Sequence, residues 1–139
     1  MNPKERAVCV CFDGPRVLLM RRLKEGRRYT VLPGGGIEPG ETPAQAAVRE
    51  LAEETGLVAT VTGELATVDH DDRRAHYLLM EALPGEPTLA GPEAVAETED
   101  NRYWPGWVPV SELADEPLLP EEAKEIVLRA FAESLTDGR

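Results

Sequence analysis

The chain has 139 residues, of which 42% are hydrophobic, so it is long enough for one domain with one core and too short for two ordinary domains. Its net charge of −11 argues against a surface that coats nucleic acid, because phosphate backbones select basic faces. No apolar run approaches the roughly 18 to 20 residues of a membrane span, and residues 1–12 are too poor in apolar side chains for a signal peptide. We therefore predict a single cytoplasmic domain over residues 1–139, without a nucleic-acid polymer or a membrane as partner.

The first predicted element is a β-hairpin. Residues 7–12 and 17–20 are apolar and flank Asp13-Gly14-Pro15, which has the composition of a turn. Cys9 and Cys11 are two residues apart in the first strand. We expect a buried, reduced pair rather than a redox pair or half of a metal site.

A basic segment and a glycine-rich segment come next. Residues 21–28 contain five cations and are predicted to form a loop, and residues 29–32 a third short strand. Pro33 and the glycines at 34–36 should end that strand and begin an irregular loop that continues through residues 37–40.

The clearest predicted helix covers Pro43–Thr55. Thr42 and Gln45 have the spacing of a capping box, Pro43 stands at the first helical position, and Gly56 follows as a left-handed cap. At about 100° per residue one face becomes apolar, and we expect it to be buried. Its members are Ala44, Ala47, Val48, Leu51 and Thr55.

The second half of the chain predicts further strands and one more helix. Residues 57–68 and 75–83 read as strands around a polar tip, residues 84–100 as an acidic loop with a strand piece near Thr88, and residues 102–108 as extended. Ser111 is a candidate cap for a short helical turn. Pro120 opens an amphipathic helix whose apolar stripe is Ala123, Ile126, Val127, Ala130 and Phe131. Strands with two substantial helices indicate an α/β or α+β sandwich.

Three carboxylates share one flank of the first helix. Glu50, Glu53 and Glu54 fall within an arc of roughly 100°, Glu54 nearest the apolar stripe and Glu53 farthest from it. Such close like charges repel by a few tenths of a kcal/mol per pair in water and by more when buried. A solvated helix face is the simplest explanation of the acids alone, whereas a hard divalent cation such as Mg²⁺ would offset the repulsion. Arg49 can pair with Glu53 one turn later and orient it.

The surrounding residues resemble a known motif. Gly35, Glu41, Arg49-Glu50-Leu51, Glu53-Glu54 and Gly56-Leu57 have the spacing of the Nudix box at every specified position, over residues 35–57. The resemblance implies an α/β/α sandwich around a mixed sheet, with the box helix and a C-terminal helix. It also implies Mg²⁺-dependent hydrolysis, with Mn²⁺ as a substitute, of a diphosphate linkage in nucleoside diphosphate-X compounds, nucleoside triphosphates among them.

The resemblance also assigns roles to residues. It implies a catalytic group of Glu53, Glu54, Arg49 and Glu41, of which Arg49 orients the acids, and a backbone contact at Gly35. The implied metal ligands are Glu50, Glu53, Glu54 and one later acid. Glu97 is favoured for that position over Glu93, Glu99 and Asp100. The identity of the general base is open, and homodimers are common in the family.

The remaining candidates are weaker. Arg21, Arg27 and Arg28 are the best candidates for binding a distal phosphate of the substrate, the alternative being a solvated hairpin. Two histidines without a nucleophile elbow do not support a zinc site or a serine hydrolase. The alternative function is a regulatory module of the same fold that binds a nucleotide or a nucleotide sugar without cleaving it.

Overall fold

The structure is a computed structural model that describes residues 4–89 and 97–136. The strands are β1 (Lys4–Asp13), β2 (Arg16–Lys24), β3 (Arg27–Val31), β4 (Gly34–Gly36), β5 (Ala59–His70), β6 (Arg73–Ala82) and β7 (Asn101–Pro109). The helices are α1 (Pro43–Thr55), a 3₁₀ helix (Val110–Asp115) and α2 (Glu121–Thr136).

The described strands form one mixed sheet. Its order is β3-β2-β1-β6-β5, with β4 added to β1 and β7 added to β2. β1 runs parallel to β6 along its length and antiparallel to β4. β1 and β2 pair only at the hairpin, Phe12 with Val17 and Asp13 with Arg16, after which β2 pairs with β7 and β3. The sheet therefore divides beyond the hairpin, and the short strand β4 occupies the free edge of β1.

The two faces of the sheet are covered by different helices. Side chains alternate along a strand, so Ala7, Cys9 and Cys11 of β1 pack with Ala47 and Leu51 of α1. Val10 of the same strand belongs to the core on the opposite face, which α2 covers with Ala123 and Val127. The predicted α/β/α sandwich with a mixed sheet is confirmed.

Helix α1 forms as predicted. The Thr42 side chain accepts a hydrogen bond from the backbone N–H of Gln45, and the Gln45 side chain accepts one from the N–H of Thr42, which completes the capping box. Gly56 ends the helix at φ 75°, in the left-handed region that glycine adopts without a steric penalty.

Several local predictions were wrong. Residues 21–28 form the ends of β2 and β3 around a tight turn instead of a loop, and the glycines at 34–36 form β4 because β1 supplies their hydrogen-bond partners. Thr88 and the other described residues of the segment 83–89 lie in no strand, and the 3₁₀ helix begins after Pro109 without a side-chain cap from Ser111. Cys9 and Cys11 are buried and unpaired, as predicted. Within the described ranges, no helix is long and apolar enough to cross a membrane.

Candidate active site

The buried face of α1 contains a carboxylate. Ala46, Ala47, Leu51 and Thr55 are buried, and Glu54 lies among them. The prediction placed Val48 on the buried face and left Ala46 out of it. In the structure Val48 is 37% exposed and Ala46 is buried, so the buried face is rotated about the helix axis relative to the prediction. Ala47, Leu51 and Thr55 are buried as predicted, but the buried face is turned from Val48 toward Glu54 and the acids.

The three helix carboxylates differ in their exposure to water. Glu54 is only 6% exposed, the side chain of Glu50 is 16% exposed, and that of Glu53 is 47% exposed. The predicted order from the core outward is correct. Burial of a carboxylate is unfavourable unless opposite charge or hydrogen bonds compensate it, so this flank of α1 favours the approach of a cation.

Gly35 allows the Glu50 carboxylate to reach the sheet edge. A Cβ built on Gly35 would lie 2.4 Å from the Glu50 Cδ and 2.4 Å from its Oε2, far inside a van der Waals contact. Gly35 is held in this position because β4 pairs with β1, where it stands opposite Ala7. A side chain at position 35 would therefore displace the acid.

Arg49 is the centre of the polar network. Its Nε and Nη2 donate to the two oxygens of Glu41 at 2.7 and 2.8 Å, and its Nη1 donates to Glu50 at 2.8 Å and to Glu53 at 3.4 Å. Its Nη2 also donates to the carbonyl of Gly36 at 3.0 Å. One guanidinium thereby ties the loop before the helix, the edge strand and two helix carboxylates together.

The charge of Arg49 changes the titration of its neighbour. The hydrogen bonds from Arg49, helped by one from the backbone N–H of Glu38, lower the pKa of Glu41 to about 2. The same contacts with Glu41 and Glu50 raise the pKa of Arg49. Both groups are therefore charged throughout the neutral range.

A buried thiol lies beneath the acids. Cys9 of β1 donates its S–H to the carbonyl of Ala47 at 3.5 Å. Burial first, and then the charges of Glu54, Cys11 and Glu50, raise the pKa of the Cys9 thiol well above its usual value. The thiol is therefore protonated at neutral pH, and the carboxylates of Glu50 and Glu54 are among the charges that disfavour its thiolate form. The proximity of Cys9 to these acids was not predicted, because it depends on how α1 packs on β1.

The donor atoms suit a hard cation. The acids around Gly35 offer only oxygen, the ligand type that Mg²⁺ and Mn²⁺ prefer. No group of three or more His, Cys, Asp or Glu side chains in residues 4–89 and 97–136 is arranged around a common point as ligands would be. Instead, Arg49 bridges Glu50 and Glu53. The residues fit the ion by chemistry, and the exposed Glu53 has the freedom to turn from Arg49 toward it.

The other candidates lie at different places. The backbone N–H of Tyr103 donates to Glu97 at 3.1 Å, which anchors Glu97 at the start of β7, and Glu93 is outside the described residues. Arg21 pairs with Glu116, with its Nε 3.2 Å from Oε1. Arg27 and Arg28 are exposed at the start of β3. The metal role of Glu97 and the substrate roles of the three arginines stay predictions.

A cleft lies on the opposite face of the same sheet edge. It has a volume of about 370 Å³ and is lined by apolar residues from β1, β5, β6, the end of β3 and the segments after β3 and before α2, among them Val8, Leu32, Tyr77 and Leu119. Arg6, Arg73 and His70 add polar groups. The sequence did not predict this cleft, because its walls join only when β1 pairs with β6.

Comparison with known proteins gives the family. The NUDIX domain model matches residues 3–130. "Putative mutator protein MutT4" of Mycobacterium tuberculosis (strain CDC 1551 / Oshkosh) is 40% identical over 135 residues, which cover 84% of this chain and 51% of that protein. Human "Diphosphoinositol polyphosphate phosphohydrolase 3-alpha" is 47% identical over 104 residues, 73% of this chain and 63% of that protein. The chain thus spans between half and two thirds of these relatives.

Solved structures agree with the fold. A MutT NUDIX hydrolase from Burkholderia pseudomallei is 27% identical, with a TM-score of 0.66 over 93% of this chain and 98% of its own. A NUDIX hydrolase from Nitrosomonas europaea, 16% identical, has a TM-score of 0.75 over 95% and 90% of the two chains. The second similarity concerns the fold alone.

Replacement of Arg49 tests the polar network directly. In Arg49→Gln the hydrogen bonds that lower the pKa of Glu41 are lost, so we expect this pKa to rise from about 2 toward its ordinary value of 4.5. Carboxyl ¹³C NMR titration of the folded protein measures it. Arg129→Gln removes an exposed helix pair with Glu125 and is the control. A Glu41 pKa that is the same in Arg49→Gln and in the wild type would contradict the network.

Proposed function

Since this chain belongs to the Nudix family, we propose that it hydrolyses a diphosphate linkage in a nucleoside diphosphate joined to another group, nucleoside triphosphates included, by attack of water on phosphorus. The observation that carries the proposal is the position of the acids. Glu54 is buried on the sheet side of α1, and the Glu50 carboxylate lies so close to Gly35 that residue 35 has no room for a Cβ. The matched box spans these residues, and the relatives named above include a phosphohydrolase.

The ion in this proposal is Mg²⁺, for which Mn²⁺ is a substitute. Glu50, Glu53 and Glu54 would hold it, with Glu97 as the candidate from the later loop. When bound, such an ion neutralises phosphate charge and lowers the pKa of a coordinated water. The all-oxygen donors support a hard cation, and the exposed side chain of Glu53 has the greatest freedom to adjust.

The residues of the chain have distinct tasks in the reaction. Arg49 is a positioning residue, because it holds Glu41 and Glu50 through direct hydrogen bonds. Glu41, kept ionised by Arg49, adds negative charge where the helix begins. Proton transfer from water needs a carboxylate near the metal, and Glu53 and Glu54 are the candidates on the helix. Glu54 is the more deeply buried of the two, since it is only 6% exposed, and we propose it as the base.

The apolar cleft is proposed to hold the part of the substrate that does not react. Its floor of Val8, Leu32 and Tyr77 suits a flat or apolar group. Arg6 and Arg73 form no ion pair with a carboxylate of the described ranges, so both charges are available to an anion. A substrate that combines a diphosphate with a larger group fits this division of the site. The reduced, buried thiols of Cys9 and Cys11 are compatible with the cytoplasmic location that the proposal includes.

Replacement of Glu54 tests the catalytic assignment. We expect Glu54→Gln to lower kcat by at least about 100-fold, the scale for loss of an acid–base or electrostatic group. The assay is phosphate or pyrophosphate release from a panel of nucleoside triphosphates, dinucleoside polyphosphates, ADP-ribose and nucleotide sugars, with and without Mg²⁺. Glu125→Gln, on the exposed face of α2, is the matched control and should leave turnover unchanged. Equal turnover in Glu54→Gln and the wild type would remove Glu54 from the site, and binding without turnover by the wild type would favour the regulatory module.

Two neighbouring glycines provide a steric test. A Cβ at Gly35 meets the Glu50 carboxylate at 2.4 Å, whereas a Cβ at Gly36 meets nothing within 4 Å. Gly35→Ala should therefore displace Glu50 and reduce Mn²⁺ affinity at least about 10-fold, the range seen when the support of a metal ligand is lost. Gly36→Ala should retain affinity within about twofold, since it leaves the acid in place. Isothermal titration with Mn²⁺ measures both, and equal affinities for the two variants would refute the contact.

A further inference from the structure

A second cavity borders the cleft on the side of β3. It has a volume of about 410 Å³ and lies between β3 and the segment that leads into α2. Its lining includes Arg27, Arg28, Tyr29, Leu118, Leu119 and Lys124. We call it the hairpin groove. Its position at the end of the β2–β3 hairpin sets it apart from the carboxylates of α1.

The wall of the hairpin groove is fixed by hydrogen bonds. The N–H of Thr30 donates to the carbonyl of Pro117 at 3.0 Å, and the N–H of Leu119 donates to the carbonyl of Thr30 at 2.9 Å. The Thr30 hydroxyl donates to Glu116 at 2.9 Å, and Arg21 pairs with the same carboxylate. Residues 116–119 are therefore held against β3 before any ligand arrives. Such preorganisation lowers the entropic cost of binding.

The hairpin groove has an excess of unpaired positive charge. Arg16, Arg74 and Arg129 each pair with a carboxylate. Arg27 and Arg28 have no carboxylate within ion-pair distance among residues 4–89 and 97–136, and they rest on aromatic rings instead. The Arg27 guanidinium is 5.3 Å from the Tyr29 ring and that of Arg28 is 5.7 Å from the Trp104 ring.

The acids near the groove do not cancel this charge. Glu116 is already matched by Arg21, and Glu121 is the other acid in the lining. The Nζ of Lys124 donates to the carbonyls of Ala114 and Glu116, which are neutral. In a chain with 26 acids and 15 basic residues, two neighbouring arginines that find no acidic partner in the described part of the chain are available for an anionic ligand.

The groove is continuous with the proposed substrate path. Leu119 lines both the groove and the cleft, and β3 leads from Arg27–Tyr29 in the groove to Val31 and Leu32 in the cleft. Two residues after Pro33 the chain reaches Gly35, which contacts Glu50. From Arg28 to Gly35 the extended chain covers at most about 25 Å. A single substrate that follows β3 would therefore place its reacting end near Gly35 and its remote end in the hairpin groove.

We infer that the hairpin groove binds a phosphate group at the end of the substrate remote from the diphosphate that is cleaved, with Arg27 and Arg28 as the specificity-determining residues. The inference rests on the proposed hydrolase function and narrows its substrate class. Substrates with phosphates beyond the reacting diphosphate, such as dinucleoside polyphosphates or multiply phosphorylated polyols, are preferred over a nucleoside triphosphate that lacks a remote anion. Arg21 supports the groove through Glu116.

The first experiment compares substrates. In the double variant Arg27→Gln/Arg28→Gln, kcat/KM for a dinucleoside polyphosphate relative to that for a nucleoside triphosphate should fall at least about fivefold, because two exposed charge contacts of modest strength are lost. Both arginines are exposed, so the fold should persist, which circular dichroism and thermal unfolding check. Arg129→Gln, which removes another exposed arginine, on α2, should leave the ratio unchanged. An unchanged ratio in the double variant would overturn the inference.

The second experiment does not depend on turnover. Inorganic tripolyphosphate is titrated into the protein in the presence of EDTA while tryptophan emission is followed, since Arg28 stacks on Trp104. We expect binding to the wild type and to Glu54→Gln, and at least about fivefold weaker binding to the double variant. Equal binding to the double variant and the wild type would overturn the inference. If no diphosphate is hydrolysed but this binding depends on Arg27 and Arg28, the proposed function fails while the anion site remains, so the two failures are distinguishable.

Discussion

The structure depends on the burial of negative charge against the edge of a β-sheet. Glu54 is almost fully buried on α1, and Glu50 is pressed against the backbone of Gly35. Bringing carboxylates together out of water is unfavourable unless a cation or hydrogen bonds compensate it. Arg49 supplies part of this compensation with one charge shared among four acids. A divalent ion would compensate the remaining negative charge.

The sheet edge beside these acids is a short strand without side chains. β4 consists of three glycines and adds to β1 at the place where the parallel pairing with β6 leaves an edge. Gly34 approaches β1 so closely that a Cβ there would lie 2.2 Å from the carbonyl oxygen of Ala7. The backbone can therefore approach both the sheet and the helix acid. Capping of α1 at Thr42 and Gly56 then fixes the length of the helix that presents the acids.

Local sequence signals predicted the local features. The capping box, the left-handed glycine and the order of exposure of Glu54, Glu50 and Glu53 follow from helix geometry, which needs no knowledge of distant residues. The Nudix box predicted the family and the α/β/α sandwich for the same reason, because the residues of the motif lie within one short segment of the chain.

Features that join distant segments were not predicted. The rotation of α1, which buries Ala46 and exposes Val48, depends on where the sheet lies, and the glycines of β4 become a strand only beside β1. Arg21 and Glu116 are 95 residues apart, so their pairing has no signal in the sequence of either segment. The cleft and the hairpin groove likewise depend on the sheet order.

The central claim is that Glu50, Glu53 and Glu54 converge on a divalent ion when a diphosphate is present. The most direct test is a crystal structure of the protein with Mn²⁺ and a non-hydrolysable diphosphate analogue, with anomalous scattering used to locate the metal. We predict an anomalous peak within about 2.5 Å of oxygens from at least two of these glutamates, with Glu53 turned away from Arg49. The account would be contradicted if clear density showed the analogue bound away from these three glutamates, while no metal lies near them and Glu53 still pairs with Arg49.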